Sequence, residues 1–188
     1  MHARCTPAPA LRASLRAATQ DDHEALDAAL GALDLAERRD YARFLSVQLR
    51  ARAGVEQWLA CTAPGEWLPP AVTGLLRRDL DWLGYPEVRD TAPTFTNAPS
   101  GADAWLGAAW VLAGSSLGNR MTERDLARRA PENWPMAFLR DTAMPDYFKA
   151  LRPVLEKTEA NPAAEQGAKA VFAHFLQETE NQLMAVAA

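Results

Sequence analysis

Apolar residues recur along this chain at steps of three and four, the spacing of helices buried on one face. Leu11, Leu15, Leu26, Leu30 and Leu33 predict a first amphipathic helix that ends near Gly31. A second is predicted over 34–60, with Leu35, Phe44, Leu45, Leu49, Val55, Trp58 and Leu59 along its stripe and Gln48 set among them. Thr62-Ala63-Pro64-Gly65 breaks the pattern, and Pro69-Pro70 opens a third helix over 71–83, since proline is tolerated in a first turn. The stretch 84–101 holds Pro86, Pro93 and Pro99 without an apolar period and predicts a loop. A fourth helix follows over 102–129, and Pro131 and Pro135 divide it from a short irregular piece ending near Asp141. Two last helices are predicted, Pro145 to Thr158 and Pro162 to Val186. Strand-like alternation and internal repeats are absent. The pattern therefore predicts one all-α domain over 11–188, a helical bundle preceded by a tail of residues 1–10.

One helix carries an unusual cost. Gly107, Val111, Gly114 and Gly118 fall at steps of four, three and four on a single face of the fourth helix. Each glycine there costs about 1 kcal/mol relative to alanine. Such a bare face admits either a flat ligand laid on the backbone or another helix packed closely, and a kink is a third use.

Composition narrows the class. The chain has 188 residues, of which 48% are hydrophobic, so one sizeable core needs no metal or disulfide staple. A net charge of −4 with scattered Lys and Arg argues against nucleic acid as a partner. Cys5 and Cys61 lack metal-ligand spacing and suit a reducing cytoplasm. Arg4, Arg12 and Arg16 interrupt any secretory signal, and the uncharged run 104–118 is shorter than the roughly 18 residues of a membrane span. These features predict a cytoplasmic protein that does not enter the membrane.

Candidate chemistry centres on histidine. His2 lies in the tail, and His174 sits among Phe172, Phe175 and Leu176 as an ordinary helix histidine. His23 continues the inward stripe Leu15, Thr19, His23, Leu26, Leu30. It is either a structural histidine or a metal ligand whose second ring nitrogen is held by a carboxylate, with Asp27 and Glu24 in reach. No second histidine, cysteine pair or His-Glu-x-x-His spacing completes a zinc site. A single protein ligand suffices for haem, because the porphyrin supplies the in-plane nitrogens.

Two stretches together carry a family likeness. The run from Leu15 through Thr19, His23 and Glu24 to Asp27, followed by Gly114-Ser115-Ser116-Leu117-Gly118, resembles the biliverdin-producing haem oxygenases of bacteria. Tyr41-Ala42-Arg43-Phe44-Leu45 and Asp79-Leu80-Asp81-Trp82-Leu83-Gly84 are also similar to that family, so the likeness spans most of the chain. It implies an all-helical fold with haem b as both cofactor and substrate. It further implies O₂, an external electron donor such as a ferredoxin or flavoprotein reductase, and a product that feeds iron supply or a bilin-binding photoreceptor.

Residue by residue, the resemblance implies that His23 is the proximal iron ligand and that Gly114 and Gly118 are the distal-helix glycines. Arg16 stands where the family often has a basic residue near a propionate, with Lys149 and Arg152 as further basic candidates. Thr19 and Val111 share the two faces and complete the candidate lining. Ser115, Ser116 or Asn119 would hold the ordered water that carries protons in catalysis, unless the serines bond back to their own helix. The chain departs from the family at Trp110 (usually tyrosine), Ala113 (usually glutamate) and Asn119 (usually glycine or alanine). Those departures admit a non-catalytic haem-binding or haem-sensing protein of the same fold. A helical interaction protein without cofactor is the remaining class.

Overall fold

The computed structural model describes residues 9–85 and 95–184. Within them the chain forms seven α-helices: α1 (Leu11–Ala18), α2 (Gln20–Gly31), α3 (Arg38–Thr62), α4 (Thr73–Trp82), α5 (Ala104–Arg129), α6 (Ala143–Lys157) and α7 (Pro162–Met184). A single 3₁₀ turn, Gly65–Trp67, lies between α3 and α4, and no strand occurs among the described residues. The all-α expectation therefore holds. Residues 1–8 of the predicted tail, and 86–94 of the predicted loop, lie outside the described residues.

Helices α3 and α5 start four and two residues later than expected, and three further helix starts differ where a side chain supplies a hydrogen bond the periodicity does not reveal. The predicted first helix is two helices, broken at Thr19, whose backbone leaves the helical region (φ −121°, ψ 12°). There the Thr19 hydroxyl donates to the Leu15 carbonyl at 2.9 Å, a local bond that competes with helix geometry. The joint resets the helical phase: α1 buries Leu11 and Leu15, whereas α2 buries no residue fully. Helix α4 starts at Thr73 rather than directly after Pro70, because Glu56 accepts from Val72 N at 3.1 Å and from Thr73 Oγ1 at 3.0 Å. Similarly, Asp141 accepts from Ala143 N at 3.1 Å and Met144 N at 2.9 Å, which sets the start of α6 two residues before Pro145.

Helix α7 is the platform against which α1, α2, α3 and α5 pack. Its crossing with α5 is made at backbone distance. A Cβ on Gly107 would lie 1.8 Å from the carbonyl oxygen of Ala164, and one on Gly167 would lie 2.0 Å from that of Ala104. Gly107 thus belongs to helix packing and leaves the candidate ligand face, a correction to the four-residue stripe. One buried cluster surrounds this crossing, with Leu112, Val171 and Phe172 joined by Leu15, Val55 and Leu155. A second cluster, around Tyr41, Leu45, Leu76, Leu80 and Phe138, fixes α3 and α4 against the segment before α6. Asp79 anchors that segment by accepting from Ala137 N at 3.0 Å and Phe138 N at 2.8 Å, and burial raises its carboxyl pKa.

His174 is a core residue, only 6% exposed, with its ring 5.3 Å from that of Phe95. Burial holds its pKa below the usual 6.5, and no partner binds its Nε2. Protonation therefore favours the unfolded chain. The stability that His174 contributes is present above about pH 6.5 and is lost as pH falls through its lower folded value. Denaturant midpoints should drop across that acid window, and His174→Gln should flatten the slope there. A second test concerns the crossing. Gly107→Ala should cost about 1–3 kcal/mol in urea unfolding, the range for overpacking a tight core.

Candidate functional site

Helix α2 presents His23 to solvent. Its side chain is 60% exposed, so the inward position predicted from the stripe is not where it lies. The phase reset at Thr19 is the cause. The ring is held from both sides: Nδ1 is 3.0 Å from a carboxylate oxygen of Asp27, one turn on, and the ring centroid is 5.8 Å from that of Phe172 on α7. An Nδ1–H donated to Asp27 leaves the Nε2 lone pair free to bind a metal. Of the two carboxylates in reach, Glu24 accepts instead from Gln20 Nε2 at 3.0 Å. Leu26, half-buried, packs on the core beside this ring's helix.

Helix α5 provides a second surface with the opposite property to its crossing at Gly107. Around the Cβ positions of Gly114 and Gly118 nothing lies within 4 Å. Ser115, Leu117 and Gly118 are exposed, and Gly114 and Asn119 are half-buried. Both serines bond back to their own helix: Ser115 Oγ donates to Leu112 O at 2.8 Å and Ser116 Oγ to Ala113 O at 2.6 Å. Both protons are committed and Ser116 is buried, so only the exposed Ser115 hydroxyl offers a lone pair toward a ligand or water. Val111 is buried in the core, as is Ala113, and Trp110 packs half-buried against it. Phe172, which faces His23, belongs to the same buried cluster as Val111 and Leu112.

The remaining candidates separate by their bonds. Thr19 is buried with its hydroxyl spent on Leu15, and its backbone carbonyl accepts from His23 N at 3.0 Å. It sets the helix joint that carries His23. Lys149 pairs with Asp146 at 2.7 Å and Arg152 with Glu156 at 2.8 Å, both exposed. Arg16 on α1 is exposed and makes no ion pair among the described residues. Of these three basic candidates it alone makes no ion pair among the described residues.

Sequence reasoning passed over Arg52. It is 1% exposed on α3, with Nε donating to Gln48 Oε1 at 3.2 Å and Nη2 to Ser115 Oγ at 2.5 Å. Its guanidinium lies over the Phe138 ring at 5.3 Å and near that of Phe175 at 6.0 Å. Burial lowers its pKa to about 10, and the charges of Glu56, one turn on, and Asp141 oppose that shift. The signal was present in outline, as a polar pair four residues apart inside an otherwise apolar stripe.

These residues fit a haem. No cluster of three or more His, Cys, Asp or Glu side chains could hold a bare metal ion among the described residues. A metal bound at His23 Nε2 must therefore bring its other ligands, as a porphyrin does. The bare surface at Gly114 and Gly118 would let a flat group approach the backbone. An all-helical bundle with one exposed imidazole and one glycine-bared helix face is compatible with binding a flat macrocycle.

Comparison with known proteins agrees. No protein-family model matches the chain. Over 145 residues it is 32% identical to a protein named heme oxygenase from Xanthomonas campestris pv. campestris (strain 8004), an alignment covering 72% of this chain and 86% of that protein. The chain belongs to the haem oxygenase family. No helix of the described residues is long and apolar enough to cross a membrane.

Because open space surrounds Gly114 and Gly118, alanine at either should stabilise the ligand-free protein by up to about 1 kcal/mol in urea unfolding. Gly107→Ala, on the same helix, should do the reverse.

Proposed function

We propose that this chain binds haem b through His23 Nε2 and cleaves it, with O₂ and electrons from an external donor, to biliverdin, carbon monoxide and ferrous iron. The observation that carries the proposal is the His23–Asp27 pair at 3.0 Å, which holds one imidazole nitrogen and leaves the other outward. Bound haem supplies the iron at which O₂ is activated and is itself the molecule oxidised.

The chain's own residues do the rest. Asp27 fixes the tautomer and orientation of His23, and Phe172 limits how far the ring can turn. Gly114 and Gly118 leave space at the backbone of α5, so selection there is steric. Exposed Ser115 retains an oxygen lone pair that a water can donate to, Ser116 is buried behind it, and Asn119 adds an amide nearby. Protons would reach the site through such water, because both serine hydrogens are engaged with backbone carbonyls. Arg16 is the cation available for a propionate. A ferredoxin or flavoprotein reductase is the fitting electron source.

A haem-binding protein without turnover is the second reading. It is favoured by the absence of an acidic side chain in 110–119 and by the burial of Ala113, where the family usually has glutamate.

Hemin titration should give an equimolar complex with the Soret band of histidine ligation, and His23→Ala should lose most of that band. With ascorbate or a ferredoxin–reductase pair in air, the Soret band should decay while biliverdin absorbance and carbon monoxide rise. A reduced complex that persists in air supports the binder. No specific hemin spectrum in the wild-type protein sinks the haem reading altogether.

A further inference from the structure

A positive charge buried without a carboxylate partner is costly, and packing alone would be served better by an apolar side chain of similar size. Arg52 is such a charge. Among the described residues no carboxylate lies within ion-pair distance of it, and its Nη1 is buried with no hydrogen-bond partner. What it does have is a direct bond to α5. Nη2 donates to Ser115 Oγ at 2.5 Å, and Ser115 stands exposed between Gly114 and Gly118, where open space begins. Gln48 holds Nε from one side, and the Phe138 and Phe175 rings flank the plane. The guanidinium is thus locked directly behind the bare face, on the side opposite to solvent.

That placement has an electrostatic consequence. The aromatic rings and the helix interior screen poorly, so the field of the charge extends toward the open face, offset only in part by Glu56 and Asp141, neither of which forms an ion pair with it. An uncharged ligand there feels little of it. A small ligand that carries or gains negative charge is held more tightly.

We infer that Arg52 is the buried cation that makes the face around Gly114, Ser115 and Gly118 selective for small anionic oxygen- and nitrogen-donor ligands, with Ser115 as the group through which it is positioned. The inference rests on the haem reading above, because it concerns ligands that share this face with the bound macrocycle. It assigns Arg52 a positioning and electrostatic role, separate from the His23 side.

The hemin complex tests it directly. Fluoride and azide affinities of the ferric complex should fall on the order of tenfold in Arg52→Gln, the size of one Coulomb interaction across several ångströms of poorly screened protein. Carbon monoxide affinity of the reduced complex should change by less than about twofold, since that ligand is neutral. Arg52→Lys should restore most of the anion affinity. Ser115→Ala, which removes the acceptor that holds Nη2, should lower anion affinity by less than Arg52→Gln and leave carbon monoxide affinity within about twofold. Equal losses for anions and carbon monoxide would show a merely structural residue and overturn the inference. So would anion affinities unchanged in Arg52→Gln. The Soret spectrum of each variant reports haem ligation by His23 independently, so a normal spectrum with unaltered anion affinity rejects the role of Arg52 and leaves the haem reading standing.

Discussion

The backbone-to-backbone crossing of α5 and α7 is the constraint on which the site depends. Gly107 and Gly167 remove the two side chains that would hold these helices apart, and each admits a carbonyl of the other helix into the space. With α5 pinned there, Val111 and Leu112 one turn later are carried into the core. Gly114 and Gly118 emerge beyond it, the last about 16 Å further along the axis than Gly107 at 1.5 Å per residue. The same residue type thus serves two purposes on one helix. At one end glycine admits a neighbouring helix, and at the other it leaves room. Helix α7 then connects α5 to His23 through Phe172, so a single platform positions both candidate surfaces.

Polar groups inside the bundle follow a division of labour. Asp79 spends its buried carboxylate on two backbone amides and so fixes the segment that carries Phe138. Phe138 in turn covers the guanidinium of Arg52. Structure-building bonds satisfy the buried anion completely, whereas the buried cation keeps one donor unmatched. An unmatched donor in a close-packed interior marks a place where stability has been given up. Its position behind Ser115 ties that sacrifice to the face of α5 rather than to the core.

Much of the helix framework was legible because each helix buries one side, and the apolar period survives in the sequence at Leu11, Leu15, Val55 and Leu112. The breaks were less so. Thr19 ends α1 through a hydroxyl bond to its own backbone, which leaves the apolar spacing looking continuous across the joint. Starts of α4 and α6 depend on Glu56 and Asp141, and the capping partner of α4 is supplied by a different helix. Of the site, His23, Asp27, Gly114 and Gly118 could be singled out by spacing and by family likeness. Gly107 could not be told from them, since a glycine's period says nothing of which neighbour fills its space. Arg52 escaped notice because a charged helix residue normally reads as solvated, and only the tertiary packing of α3, α5 and α7 shows that it is not.

The central proposal is that His23 Nε2 faces the iron, with Asp27 holding the other nitrogen. Resonance Raman spectroscopy of the reduced hemin complex observes that bond itself. The wild-type protein should show an iron–histidine stretching band that His23→Ala abolishes and added imidazole restores, while Asp27→Asn should lower its frequency by weakening the imidazole as a donor. An iron–histidine band that persists in His23→Ala without imidazole would contradict the assignment.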